Sequence, residues 1–397
     1  MFPPIRGRGC LAALLVASAT AAGCSADEPP PPPPPHCGSN GAMAVAIGAR
    51  ANSAAINLPA ELATRMTESA RARYSISVVR IDGDPAVVFS ESFRSPAGNG
   101  PALEADFTAY LGRLSAAFAT HVKARAGEAD PLVALTEAAR STGPGGTVVL
   151  IDSGLQTVSP LRFQDDGGNL VESQPEDTIA YLRDLTLLPD LRQRTVIFVG
   201  LGNTTPPQQK LNTRQRGKVT EIWKAIATAS GASCVDVIDV PAAVPAVTGV
   251  PTVTVIPVPK DPPPPQSCGP TVLADNNGVG FLPDSDRFRD AAAARRTIGQ
   301  LADLMKQGRQ HADLVGTTAN VGRYEGQQKL SEQRAGAVKR VLRDLGIADE
   351  RITIHGVGSR WPGYVPDGGP EGPLLPGPAA ANRKVIANLI CDRAGAR

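Results

Sequence analysis

Apolar positions between residues 43 and 240 recur in two alternating rhythms. Met43 to Ile47, Thr147 to Ile151 and Thr195 to Val199 are continuous apolar or β-branched runs, as parallel strands buried on both faces require. Ser75 to Ile81 and Ala86 to Phe89 read as paired strands around the turn Asp82-Gly83-Asp84-Pro85, and Val235 to Val240 reads as a last strand. Helical spacing fills the intervals over Pro59–Tyr74, Glu104–Val122, Glu176–Leu188 and Val219–Ala229, with Leu62 and Met66 sharing one face of the first. A further helix starts at Asp130-Pro131, an N-cap followed by proline at the first helical position. This alternation predicts an α/β domain with a doubly wound, mostly parallel sheet.

The pattern changes after residue 240. Pro241 to about Pro265 is rich in proline and reads as a linker, in which Thr252 to Ile256 is not expected to form a strand. Ala291 to Met305 is a helix rich in Ala and Leu. Leu330, Val338, Val341, Leu342 and Leu345 repeat at helical spacing, and Ile352 to Gly358 is a strand. The expected divisions are a leader over 1–23, an anchor and stiff proline linker over 24–41, the α/β domain over 42–240, a linker over 241–267 and an α+β domain over 268–397.

The leader has Arg6 and Arg8 before an apolar stretch, Leu11 to Ala22, that is too short to span a bilayer. Ala21-Ala22-Gly23-Cys24 resembles a lipobox, which implies cleavage and lipidation at Cys24 and attachment to a membrane. Ordinary signal cleavage near Ala19 or Ala22 is the competing reading. Pro29 to Pro35 is an unbroken run that should stand as a stiff extended spacer. Loss of the leader takes away Arg6 and Arg8 and no acid, leaving 38 basic and 38 acidic side chains. A neutral chain gives no electrostatic case for nucleic acid. Cys37, Cys234, Cys268 and Cys391 remain, an even number in an exported chain, and the pairs Cys37–Cys234 and Cys268–Cys391 would each bracket one domain. His36, His121, His311 and His355 are scattered, and neither they nor the cysteines have metal-site spacing, so neither metal nor cofactor is expected.

Arg334 lies four residues from both Leu330 and Val338, on the apolar stripe of its helix. An inward guanidinium is always charged and offers a planar fork of donors suited to a carboxylate. The pattern places it near the first turn, where helix N–H groups also favour an anion. Pairing with Asp313 or Glu332, or bonds to backbone carbonyls, would be the purely structural alternative.

The segment Gly316-Thr317-Thr318-Ala319-Asn320-Val321-Gly322, the helix with Leu330-Ser331-Glu332-Gln333-Arg334-Ala335, the strand ending at Gly358 and the closing Asn382-Arg383-Lys384-Val385 together resemble the OmpA-like peptidoglycan-binding domain. Gly280 to Asp286 resembles that family's first strand and turn. In the family an Asp meets the ammonium, and an Arg the carboxylate, of the wall peptide's diaminopimelate. Arg334 matches the Arg, and Ala319 stands at the Asp. Thr317 replaces an aromatic or His, and Gln327 replaces Asn. The resemblance implies a peptidoglycan site of Arg334, Thr318, Asn320, Gln327, Asn382 and Arg383, with Asn320 or Thr318 as the neutral acceptor. The alternative for Asn382 and Arg383 is that they only hold the last strand in register.

The first domain resembles the von Willebrand factor A fold in its element order. Asp152 matches one acid of that fold's metal site, but Gly48-Ala49-Arg50-Ala51-Asn52-Ser53 lacks most of the Asp-x-Ser-x-Ser motif and brings an Arg instead. The resemblance therefore implies a protein-binding domain without its metal. The expectation is a non-catalytic envelope lipoprotein that anchors or scaffolds on peptidoglycan. The alternative is an envelope interaction scaffold that no longer binds the wall. An enzyme centred on Asp152 would need a His, Ser or Cys partner, and none is visible.

Overall fold

The computed structural model describes residues 37–38, 41–53, 58–240, 247–368 and 372–391. The leader, Cys24, the run Pro29–Pro35 and His36 lie outside these residues. No helix among the described residues is long and apolar enough to cross a membrane.

Six strands form the first sheet: β1 (Met43–Ile47), β2 (Ser75–Arg80), β3 (Ala86–Ser92), β4 (Thr147–Ile151), β5 (Thr195–Val199) and β6 (Cys234–Ile238). Their order is β3-β2-β1-β4-β5-β6, and only the edge strand β3 is antiparallel to its neighbour. Val45 on β1 stands opposite Val78 on one side and Val149 on the other. The continuous apolar runs follow from burial on both faces. Met43, Val45 and Ile47 point into one core, with Leu62 and Phe107 from α1 (Ala60–Arg71) and α2 (Gly100–Ala116). Ala44 and Ala46 point into the other, with α3 (Pro131–Thr142), α4 (Pro175–Asp184) and α5 (Thr213–Ala229).

Local signals start these helices. Asn99 and Asp130 cap α2 and α3 by accepting from Ala102 N–H and Val133 N–H at 2.9 and 3.0 Å. Asn212 and Gln215 form a reciprocal capping box on α5, which therefore begins at Thr213, ahead of the first apolar-periodic residue Val219. α4 opens with Pro175, Glu176 and Asp177, so two carboxylates sit at its positive end. α2 is shorter than its apolar rhythm, because the chain widens into a π turn over Ala117–His121.

The second sheet has the order β7-β10-β8-β9, from β7 (Gly269–Ala274), β8 (His311–Gly316), β9 (Ile352–Gly356) and β10 (Lys384–Ile390). β10 runs antiparallel to β7 and β8, while β8 and β9 are parallel. Burial alternates along β8 and β10, since one face packs on α6 (Ala291–Gln307) and α7 (Tyr324–Asp344) and the other is left partly open. Residues 280–286 are not the first strand of this sheet. β7 is, and Phe281 and Phe288 make only an isolated bridge across a turn.

The disulfides are Cys37–Cys234 and Cys268–Cys391, the pairing expected. The second closes a separation of 123 residues and joins the start of β7 to the end of β10.

The proline-rich segment lies against the first layer. Val253 and Ile256 are buried, and Ile256 exchanges two backbone-to-side-chain hydrogen bonds with Gln208, at 2.8 and 2.9 Å. No strand forms over Thr252–Ile256. A short helix absent from the sequence reading, α8 (Pro376–Asn382), packs on the 3-10 segment Asp165–Glu172 of the α/β layer. Gly377 approaches so closely that a Cβ there would come within 3.0 Å of Leu170 N. Lys218 pairs with Asp275 across the same boundary at 2.8 Å.

Candidate functional site

β8 delivers the chain into the loop 317–322, and α7 lies over the strand's end. Gly316 permits this approach, since an added Cβ would sit 1.9 Å from Ser331 O. α7 begins at Tyr324, so Arg334 lies ten residues inside it. The expectation of a nearby helix N-terminus is therefore corrected, because the terminal field fades beyond the first turn.

Arg334 is 5% exposed. Its Nε donates to Ser285 O at 3.0 Å and its Nη2 to Leu282 O at 3.4 Å, and the guanidinium lies 5.2 Å from the Phe281 ring centroid. Asp313 and Glu332 are not its partners; Asp313 accepts instead from Thr353 and lies 3.2 Å from His355. Among the described residues no carboxylate comes within ion-pair distance of Arg334. Burial, together with the like charges of Arg383 and Arg289, pulls its pKa down to about 10, against the pull of Asp284 and Asp286. It is still cationic at neutral pH, and a buried cation without a paired anion is costly to hold.

Thr318 and Ala319 are buried beside it, at 4% and 3% exposed, and Thr318 Oγ1 has no hydrogen-bond partner among the described residues. Gln327 braces the loop, donating from Nε2 to Asn320 Oδ1 at 2.9 Å and to Gly322 O at 3.1 Å. Asn382 is fully buried and binds the backbone of Val365 in both directions, at 2.7 and 2.9 Å. It thus holds the 364–367 loop, and it does not face ligand space.

Sequence reasoning missed Asp367, a fully buried carboxylate at the centre of this bracing. It accepts from Asn320 N–H at 3.1 Å and Asn382 Nδ2 at 2.9 Å, and from the Tyr364 hydroxyl. Burial, then the bond to Asp367, pushes the Tyr364 hydroxyl up to about 12, so it remains a donor. The only signal in the sequence is Pro366-Asp367-Gly368, which reads as a turn.

Thr318, Ala319, Gln327, Arg334 and Arg383 line one wall of a cleft of about 1110 Å³. Asn320 and Asn382 lie behind that wall. Glu172, Glu176 and Asp177 of the α/β layer line the opposite side. Arg383 crosses to make a bidentate pair with Asp177, so it is engaged between layers. Leu330 also lines the cleft, although its spacing placed it with the core.

At the end of the first sheet, Arg50 and Asp152 are both fully buried and pair at 2.7 Å. Gly48 makes room for them, since a Cβ there would lie 1.8 Å from Asp152 Oδ2. Asp152 Oδ1 accepts from Gly154 N–H at 2.8 Å. The Arg50 guanidinium is therefore the cationic partner of Asp152. No group of three potential metal-binding side chains occurs among the described residues.

Residues 280–365 match the OmpA family and form an OmpA family domain. Solved structures similar to this part include the OmpA-like domain of FopA1 from Francisella tularensis, at 21% identity over 30% of this chain and 73% of that one, with a TM-score of 0.23. The cell wall anchor of the T6SS from Pseudomonas aeruginosa is 18% identical over 31% and 81%, with a TM-score of 0.26. The periplasmic domain of Helicobacter pylori MotB is 20% identical over 32% and 78%, also at 0.26. Separately, 114 residues are 32% identical to a photosystem I chlorophyll a apoprotein of Gloeobacter violaceus, spanning 29% of this chain but only 13% of that protein.

Proposed function

We propose that this chain is a non-catalytic cell-envelope lipoprotein that anchors or scaffolds by binding the diaminopimelate peptide of peptidoglycan through its OmpA family domain. Arg334 carries the reading. It is a buried guanidinium, oriented by two backbone carbonyls, unpaired by any carboxylate among the described residues, and it opens on a cleft large enough for a peptide end. A ligand carboxylate would supply the missing anion through charge-assisted bonds. Lipidation at Cys24 and the spacer Pro29–Pro35 would tether the body to a membrane. The α/β domain, with Arg50 as the cationic partner of Asp152, would meet a protein partner without a metal.

Ala319 favours a second reading, in which the domain is an interaction scaffold that no longer grips the wall. Loss of one charge-assisted bond weakens binding by about 1.5–3 kcal/mol, roughly ten- to a hundredfold. Co-sedimentation of the full chain with insoluble diaminopimelate-type peptidoglycan separates the two. Anchoring predicts that wild type pellets and that Arg334→Ala and Arg334→Lys stay in solution, the lysine variant because it lacks the fork. Pelleting by Ala319→Asp alone would support the scaffold.

A further inference from the structure

The two walls of the cleft differ in charge: one is mixed, with Asp275 and Asp284 among its arginines, and the other is acidic. The mixed wall brings Arg289, Arg334 and Arg383 near enough that the other two disfavour the charge on Arg334, while Asp284 favours it. It has no carboxylate at position 319. The facing wall contributes Glu172, Glu176 and Asp177 and no lysine or arginine.

These acids are not equally committed. Glu172 is held by Arg214, and Asp177 is held by Arg383. Glu176 has only a long contact with Arg289, at 3.6 Å, and its side chain is 56% exposed. The buried Nε of Arg289 has no partner among the described residues, and neither has Thr318 Oγ1. Both residues line the cleft, although these two atoms are themselves buried. The volume of about 1110 Å³ shows that the facing layer borders the site without plugging it.

We propose that the two layers form one zwitterion site, in which Arg334 takes a carboxylate and Glu176 of α4 takes the neighbouring ammonium that residue 319 cannot. The ligand class is an amino acid end group carrying both charges on one carbon, as at the distal end of diaminopimelate. The inference rests on the reading of this cleft as a wall-peptide site. The α/β layer is then part of the binding site, and the Arg383–Asp177 pair sets the spacing between its walls.

Calorimetric titration of the full chain with a soluble diaminopimelate tripeptide, and with the same peptide acetylated on its distal amine, tests the proposal. Wild type should prefer the free amine. Glu176→Gln, whose side chain is 56% exposed, should lose roughly three- to tenfold in affinity for the free-amine peptide and nothing for the acetylated one. Arg334→Ala should weaken both peptides. Unchanged affinity and preference in Glu176→Gln, alongside a loss in Arg334→Ala, would overturn the composite site and leave the wall-binding reading standing. No binding of either peptide by wild type would overturn both.

Discussion

Asp152→Ala leaves Arg50 as a fully buried guanidinium whose one remaining bond is a long one, from Nη1 to Ile81 O at 3.4 Å. At an effective dielectric constant near 20, two unit charges 2.7 Å apart attract by about 6 kcal/mol. Removing both ions from water costs several kcal/mol each, so the intact pair adds little net stability. Taking away one partner withdraws the attraction and keeps the desolvation cost of the other. The expected loss is about 3–5 kcal/mol, a large share of the ~5–15 kcal/mol of an ordinary domain. Trp223 reports on this layer, because it is fully buried and its indole N–H donates to Gly154 O at 2.9 Å, two residues beyond Asp152. Urea titration followed by Trp223 fluorescence, in a Trp361→Phe background, gives the change in midpoint at constant slope. The double variant Arg50→Met with Asp152→Leu should recover most of the loss by replacing both charges with apolar volume. A single variant within about 1 kcal/mol of wild type, or a double variant no better than the single, would refute the argument.

Two further outcomes follow from the fold. Removal of Cys268–Cys391, which closes 123 residues, should lower stability by about 2–5 kcal/mol, read as the shift in urea midpoint of the double variant Cys268→Ser with Cys391→Ser, which leaves Cys37–Cys234 intact. Burial raises the Asp130 carboxyl above its ordinary value, although hydrogen bonds from Val133 and Leu132 favour the anion. The folded chain then takes up this proton at a higher pH than the unfolded chain, and folding gains stability as pH falls through that interval. Asp130→Asn keeps the cap without the ionisation, so its stability relative to wild type should be greatest near neutral pH and shrink toward about pH 4.

The parallel layer was legible because its strands are buried on both faces, which leaves continuous runs such as Thr147 to Ile151. The caps Asp130 and Asn99 act through neighbours within one turn, a range at which sequence is informative, although only Asp130 was read from it. Arg334 was legible as an inward charge on an apolar stripe. Its carbonyl partners were not, since Leu282 and Ser285 lie 52 and 49 residues away and backbone oxygens carry no sequence signature. Asp367 and α8 escaped because a Pro- and Gly-rich stretch reads as loop, whatever it braces. The facing wall was invisible for a related reason: Asp177 meets Arg383 across 206 residues, and a first-turn acid has its own local explanation at a helix start.

Diaminopimelate-type and lysine-type peptidoglycan differ at the group the account assigns to Arg334, because the lysine stem keeps an ammonium but has no distal carboxylate. Co-sedimentation of the full chain with both walls, at matched mass and ionic strength, is therefore the most direct test. The account predicts pelleting with the diaminopimelate wall and little with the lysine wall. Equal pelleting with both, unchanged in Arg334→Ala, would contradict it.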